Sequence, residues 1–357
     1  MAFRASLIFA LCAGLLLPVA LPAAGRAEPP PPARPAVLNA DAPPYLPPAG
    51  RRDYVRFLQQ ATPRAFALSP DGSWGWAAAL DTPGATEARA MEICAGWGGR
   101  GCRVYARDLA VVWPGRESGP PPARDAAAAA LVSGPGWSLT ADERFLWQGP
   151  RAARGAYLWA HGRAAGGQDS RGGQPQPHVR VFNNAGYDVL RFDRAPATDE
   201  TDDAAAWMRA ALSELRAQGY ARIVVGGQSR GAWNALQALE EPGLADAVVA
   251  VAPAAHGATG SAAWAWALDD LRQVVRAARS PQARVAIANF AGDEFDPDPE
   301  GRAQIFRGLA SPPRVGALLF LDRPQGLEGH GAGADARFTQ RYGACLLEFA
   351  EGRSSRC

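Results

Sequence analysis

From about Trp137 onward, apolar runs recur, and most are followed by a glycine or a turn and then by an amphipathic stretch. The runs Ala156–Ala160, Asp188–Phe192, Ile223–Val225, Ala247–Ala252, Val285–Phe290 and Val315–Leu321 predict strands. The stretches Thr201–Gln218, Ala232–Glu240, Ser261–Arg279, Glu300–Leu309 and Ala336–Glu351 predict helices between and after them. The strands are uniformly apolar rather than alternating, so both of their faces must be covered. Strand–helix alternation with two covered faces predicts an α/β domain over residues 137–357, built on a doubly wound, mostly parallel sheet. Upstream, the pattern changes to that of a small α+β module over residues 51–115. Its predicted parts are a turn at Ser69-Pro70-Asp71-Gly72, a strand over Trp74–Ala79, a short helix over Thr86–Ala95 and one or two strands within Gly101–Trp113. Residues 116–136 read as a linker. Residues 28–50, with nine prolines between Glu28 and Pro48, read as an extended tether. No internal repeat is visible.

The first 27 residues have the pattern of a cleaved export signal. Arg4 precedes a nearly unbroken apolar run, Leu7–Leu21, and Gly25-Arg26-Ala27 supplies a small-x-small site before Glu28. The run is too short, and too interrupted by Pro18 and Pro22, for a membrane span, which takes roughly 20 residues. A periplasmic or secreted location follows, with no stable membrane insertion after cleavage. Such a compartment is oxidising, which changes the reading of the five cysteines. Cys12 leaves with the signal, and Cys94, Cys102, Cys345 and Cys357 remain. Three pairings are open to them, and the local one, 94 with 102 and 345 with 357, is favoured. No C-x-x-C unit offers a zinc site, and no metal is expected.

Composition narrows the chemistry. The 37 basic residues are all arginine, against 35 acidic residues, for a net charge of +2. Near-neutral charge gives no electrostatic case for binding nucleic acid. The absence of lysine removes Schiff-base chemistry and phosphate-binding P-loops. What remains centres on Gly227-Gln228-Ser229-Arg230-Gly231, which follows a predicted strand and opens a predicted helix. That context is what a G-x-S-x-G nucleophile elbow requires: the glycines permit a sharp turn, and the next backbone N–H, from Arg230, faces a developing oxyanion. A serine nucleophile needs a base and an orienting acid, here in the order Ser, acid, His. His330, in Gly329-His330-Gly331 after the last strand, is the candidate base, ahead of His256. Asp293, just after Val285–Phe290, is the candidate acid, with Asp296 as the alternative. The second oxyanion donor is expected from the loop after Ala156–Ala160, at the N–H of Arg163 or of Gly162, with His161 supporting that loop. His178 is expected at a helix start. Trp264 and Trp266 are candidates for a substrate pocket, with ordinary packing on the sheet as the alternative. The Arg163 and Arg230 side chains are candidates to attract an acidic substrate group.

These residues, from about 150 to 350, resemble the α/β-hydrolase superfamily, and most of all its dienelactone-hydrolase and prolyl-oligopeptidase-like members. The His161-Gly162 loop and the segments Gly186-Tyr187-Asp188-Val189-Leu190 and Phe192-Asp193-Arg194 carry the likeness beyond the elbow. The resemblance implies a Ser229–His330–Asp293 triad, an acyl-enzyme intermediate and no cofactor. The expected partner is a small-molecule ester or amide. Ester hydrolysis leads, peptide cleavage stands second, and a non-catalytic envelope protein that binds through its small module is the reading from another class. Gln228 and Arg230 depart from any one subfamily's habit, and the small module lies outside the likeness.

Overall fold

Two sheets organise the chain in the computed structural model, which describes residues 35–118, 130–311 and 313–357. The expected signal, the start of the tether and residues 119–129 of the expected linker lie outside the described residues. From residue 35 onward the chain packs as one unit.

The smaller sheet is antiparallel, in the order β2-β1-β3-β4, with β1 Arg64–Leu68, β2 Trp74–Ala78, β3 Arg103–Arg107 and β4 Ala110–Val111. Its central strand β1 is buried throughout and sorts its side chains by size. Ala65 and Ala67 face helix α2 (Pro83–Gly96), while Phe66 and Leu68 join Tyr54 and Phe57 of helix α1 (Pro48–Leu58). Small residues on the α2 side allow a close approach. A Cβ on Gly75 would stand 2.5 Å from the Ala90 carbonyl oxygen. Arg64 is wholly buried and closes the end of α1, donating from Nη1 to the carbonyls of Phe57 (3.1 Å) and Leu58 (2.6 Å). A helix end leaves such carbonyls without partners, and a guanidinium can reach several at once.

Two expectations change here. The described part of the tether is not an extended strap, because residues 36–38 form a turn of 3-10 helix and Val37, Leu38 and Leu46 are buried against α1 and β1. Tyr54 Oη fixes that turn by donating to the Val37 carbonyl at 2.8 Å. The end of the linker is likewise structured. Residues 130–134 form β5 (Ala130–Gly134), which pairs with β6 (Trp137–Ala141) at one edge of the larger sheet.

That larger sheet has the order β12-β11-β10-β9-β7-β8-β6-β5, with β7 Gly155–Ala160, β8 Tyr187–Arg194, β9 Ile223–Gln228, β10 Ala247–Val251, β11 Ser280–Asn289 and β12 Val315–Asp322. Strands β7 to β12 pair in parallel, and β6 and β5 run antiparallel at the edge. This is the doubly wound, mostly parallel architecture of the α/β-hydrolase type that the sequence predicts. Alternate residues of each strand feed opposite cores. Leu158, Ile223, Val225 and Val285 pack under helices α4 (Thr201–Ala217), α5 (Arg230–Gln237), α6 (Ala267–Ala277) and α7 (Pro299–Arg307). Tyr157, Trp159, Val224 and Val249 pack under α3 (His178–Asn184) and α8 (Ala336–Ala350). Because β8 and β9 flank β7 on opposite sides, the chain order reverses there and opens a crevice beyond the carboxyl ends of β7 and β9. The small sheet docks on the larger domain through Leu146, which lies in the α1 cluster, and through paired hydrogen bonds between Thr62 and Gln174. Among the described residues, no helix is long and apolar enough to cross a membrane.

The four described cysteines form two local disulfides, Cys94–Cys102 and Cys345–Cys357. The first ties the end of α2 to the start of β3, and the second ties the last residue of the chain to α8. Loop-closure entropy for such short loops is worth about 2–3 kcal/mol. Replacing Cys94 and Cys102 together with serine should lower the urea-unfolding free energy by about that amount, whereas an unchanged midpoint would mean that the α2–β3 junction holds without the bridge.

Candidate active site

Ser229 sits between β9 and α5 with φ +54° and ψ −120°, a conformation that a side chain adopts at a cost of about 1–3 kcal/mol. Its surroundings hold it there. The Ser229 N–H donates to the Val251 carbonyl (3.1 Å), and its own carbonyl accepts from Ala254 (3.2 Å) and Trp233 (3.0 Å). The two flanking glycines are required by close approach. A Cβ at Gly227 would lie 2.6 Å from the Ala160 carbonyl oxygen, and one at Gly231 would lie inside that carbonyl. The elbow is therefore pressed against the end of β7. The N–H of Arg230 opens α5 and has no helical carbonyl to bond, which leaves it available to an anion.

The loops after β11 and β12 meet beside this turn. His330 Nδ1 stands 2.9 Å from Asp293 Oδ1, and both side chains are largely buried. An ionised carboxylate only accepts, so the proton lies on Nδ1 and the lone pair on Nε2. That Nε2 is buried and has no hydrogen-bond partner. Asp293 is itself held by the Phe295 N–H at 2.9 Å, and the Phe295 ring packs on the imidazole with centroids 4.2 Å apart. The loops are joined by Gly329 N–H donating to the Ala291 carbonyl at 2.8 Å. Asp296 lies elsewhere: its buried carboxylate faces the buried Arg302 guanidinium at 3.9 Å, and burial raises its proton affinity. Of the two acids considered from sequence, the structure brings Asp293 to the histidine.

The loop after β7 is held by its own histidine. His161 Nε2 accepts from the Arg194 N–H at 3.0 Å, which fixes the proton on Nδ1, and Nδ1 donates to the Gly162 carbonyl at 2.6 Å. Burial, followed by the nearby Arg194 guanidinium, lowers the His161 pKa to about 4, so the ring stays neutral. Arg194 is buried as well. It donates to the His161 carbonyl (2.6 Å) and to Asp199 Oδ1 (2.8 Å). His161 thus acts as a strut, as the sequence suggests. Gln228 spans the two loops: its Nε2 donates to the His330 carbonyl at 3.4 Å, and its Oε1 lies so near Gly162 that a Cβ there would be 2.5 Å away.

A cleft of about 620 Å³ opens over Ser229, bounded by Arg163, Thr201, Arg230, Ala255, His256 and Phe295 among others. The Arg230 side chain is not available to an acidic substrate group. Its guanidinium is engaged with Thr201 Oγ1 (2.7 Å) and with the carbonyls of Asp199 (3.4 Å) and Ala255 (3.2 Å), bracing the cleft wall. Arg163 is exposed on the cleft rim. Trp264 and Trp266 lie on a 3-10 turn ahead of α6 and are not among the cleft residues. Trp266 is 63% exposed, so it is not packed on the sheet either. His256 is bound to Asp270, with Nε2 2.7 Å from Oδ2. His178 begins α3, buried, with Nε2 3.2 Å from the Tyr157 hydroxyl. Among the described residues, no group of three or more His, Cys, Asp or Glu side chains is arranged to hold a metal ion. The parts that sequence reasoning missed are Gln228 as a bridge, Phe295 against the His330 ring and the Arg194–Asp199 pair. Each depends on contacts more than 30 residues apart or on a side-chain direction that no local pattern encodes.

No family model and no curated protein sequence matches the chain. Solved structures similar to it include an esterase of Pyrococcus furiosus, at 18% identity and TM-score 0.42, over 60% of this chain and 87% of that one. A puromycin-hydrolyzing peptidase of Mycobacterium tuberculosis matches at 18% identity and TM-score 0.42, over 60% of this chain and 38% of that one. Est1E of Butyrivibrio proteoclasticus matches at 13% identity and TM-score 0.42, over 61% of this chain and 94% of that one.

The buried histidines set an acid limit. His161 and His178 have native pKa values lowered to about 4 and about 3, against an ordinary 6.5, mainly by burial. The unfolded chain therefore binds more protons than the native one between those values and 6.5. The stability they contribute is complete above pH 6.5 and is lost as pH falls toward 4 and 3. Urea unfolding should show a loss of roughly 2–3 kcal/mol per histidine between pH 7 and 4.5, smaller in His161→Gln. A wild-type curve with the same pH dependence as His161→Gln would contradict the neutral strut.

Proposed function

We propose that the protein is an exported serine hydrolase that cleaves small or medium esters through an acyl-enzyme on Ser229. The observation that carries this reading is the pairing of His330 with Asp293 at 2.9 Å, beside a serine held in a left-handed turn at the end of β9. In the proposed mechanism, Ser229 Oγ attacks the ester carbonyl carbon while its proton passes to His330 Nε2. Asp293 keeps the imidazole in the tautomer that leaves Nε2 free to accept, and it stabilises the imidazolium that forms. The carbonyl oxygen becomes an oxyanion and is met by the N–H groups of Arg230 and of Arg163, each such donor contributing a few kcal/mol in the transition state. As the tetrahedral adduct collapses, the bond to the leaving alcohol breaks and the imidazolium proton goes to the departing oxygen. Water then attacks the acyl-serine by the same route and regenerates the hydroxyl. No cofactor enters these steps.

Esters stay ahead of peptides as the proposed substrates, and the segment between β10 and β11 holds only a 3-10 turn and α6, which is too little for a large cap over the cleft. The cleft is open and of the size that takes a small molecule. Export is supported by the apolar N-terminal run and by the two disulfides.

With 4-nitrophenyl butyrate as substrate, Ser229→Ala should lower kcat/KM by on the order of 10⁴ or more, and Asp293→Asn by 10³–10⁴. Asp296→Asn should stay within about tenfold of wild type. Equal losses in the two aspartate variants would remove Asp293 from its role. Absence of turnover on both 4-nitrophenyl esters and dipeptide 4-nitroanilides would favour the non-catalytic binding protein.

A further inference from the structure

The side chains of Asp293 and His330 are joined by one hydrogen bond, and an imidazole held at one end can still tilt. His330 stands between Gly329 and Gly331, so its chain neighbours bring no side chain to support the ring. Its Nδ1 is bonded to Asp293 at 2.9 Å, while its Nε2 is buried and has no hydrogen-bond partner. Hydrogen bonds tolerate a broad range of angles at the accepting oxygen, so the ring can rock about the Nδ1–Oδ1 contact unless a surface lies against its face. The surface present is the Phe295 ring, tilted 37° to the imidazole with centroids 4.2 Å apart.

Phe295 holds the acid by its main chain and the base by its ring. Its N–H donates to Asp293 Oδ1 at 2.9 Å. The turn that carries it is bonded at each carbonyl. Asp293 accepts from the Asp296 N–H (3.1 Å), Glu294 from the Thr259 N–H (3.0 Å), and Phe295 from Nη1 of the buried Arg302 (3.5 Å). A small pocket bordered by Phe295, Trp233, Leu271, Pro297 and Arg302 has room for about 10 Å³. That is one water at most, so the phenyl ring cannot swing away from the imidazole into it. Phe295 also borders the Ser229 cleft, whereas His330 is not among the described residues that line it.

We infer that Phe295 is the positioning residue of the base: its ring presses on the imidazole, keeps Nδ1 on Asp293 and holds Nε2 in one orientation for proton transfer. The catalytic consequence rests on the Ser229–His330 reading, whereas the hold of the ring on the His330–Asp293 pair does not. Proton transfer needs the accepting nitrogen within hydrogen-bond reach of the hydroxyl, and a misplacement of about 1 Å can cost on the order of 100-fold. Phe295→Ala removes the ring and leaves the main-chain bond to Asp293 in place, so it isolates what the ring does. Phe295→Leu fills much of the same space without a flat face, and Phe295→Tyr keeps the face.

Two readouts test this role. With 4-nitrophenyl butyrate, Phe295→Ala should lower kcat by roughly 10- to 100-fold while KM changes by less than about threefold, and Phe295→Tyr should stay within about threefold of wild type. The second readout is the far-downfield proton resonance of a histidine Nδ1–H bonded to a carboxylate, assigned by its absence from His330→Ala. It should be broadened or lost in Phe295→Ala and recovered in Phe295→Tyr. Phe295→Leu, which keeps the space filled and so preserves the fold, should move both readouts in the same direction as alanine. An equally sharp resonance in Phe295→Ala, together with kcat within about threefold of wild type, overturns the positioning role. A raised KM with unchanged kcat also overturns it and leaves Phe295 as a wall of the cleft. A wild type that does not turn over the ester, with the resonance still lost in Phe295→Ala, overturns the Ser229 reading and leaves the hold on the His330–Asp293 pair standing.

Discussion

The left-handed turn at Ser229 governs the arrangement of the larger domain. A serine at φ +54° is unfavourable by itself, and it persists because the chain on either side has nowhere else to go. Gly227 and Gly231 lie against the Ala160 carbonyl at the end of β7, so β7 and β9 must be neighbours with their carboxyl ends level. The Val251 carbonyl holds the Ser229 N–H from the other side, which requires β10 next to β9. Three adjacent parallel strands, small residues at the crossing and the opening of α5 are thus conditions for one strained backbone. In return, the strain leaves the serine hydroxyl and the Arg230 N–H at the mouth of the crevice.

Buried arginine takes over much of the work of holding these parts. Arg64 closes the carbonyl end of α1, Arg194 binds the His161 carbonyl and Asp199, and Arg230 ties Asp199, Thr201 and Ala255 together. A guanidinium suits this because it is a planar fork with five donors, less strongly hydrated than an ammonium, and can satisfy several carbonyls from one position. The Arg194 and Arg230 bonds continue into one another through Asp199, so the loop after β7 and the wall of the cleft share one brace. The neutral His161 belongs to the same brace, which makes it sensitive to acid although it performs no chemistry. These contacts commit the Arg230 side chain to the scaffold, while its N–H opens α5.

Much of the sheet domain was legible in the sequence because its strands carry apolar runs and are separated by amphipathic helices. The elbow was legible because its glycines are forced by contact with β7. Asp293 and His330 could be placed by their position after β11 and β12, and the choice between Asp293 and Asp296 needed coordinates because both follow the same strand within a few residues. Helix α1 and β1 were missed. Prolines around residues 43–48 mimic an extended tether, while in the fold Pro48 starts a helix, where its missing N–H is harmless. The ordering of β5 was missed because an alanine-rich stretch has no periodicity, and it becomes a strand only by pairing with β6. The Gln228 bridge and the His256–Asp270 wall depend on side chains that meet across the fold, and nothing in their immediate sequence signals it.

The central claim is that the strained serine is the nucleophile. Its most direct test is covalent: the folded protein is treated with a fluorophosphonate, digested with trypsin, and the peptide Ile223–Arg230 is weighed. A single phosphonyl adduct on Ser229, absent when His330 is replaced by alanine, is the predicted result. An unmodified peptide, or an adduct on another residue that survives Ser229→Ala, would contradict it.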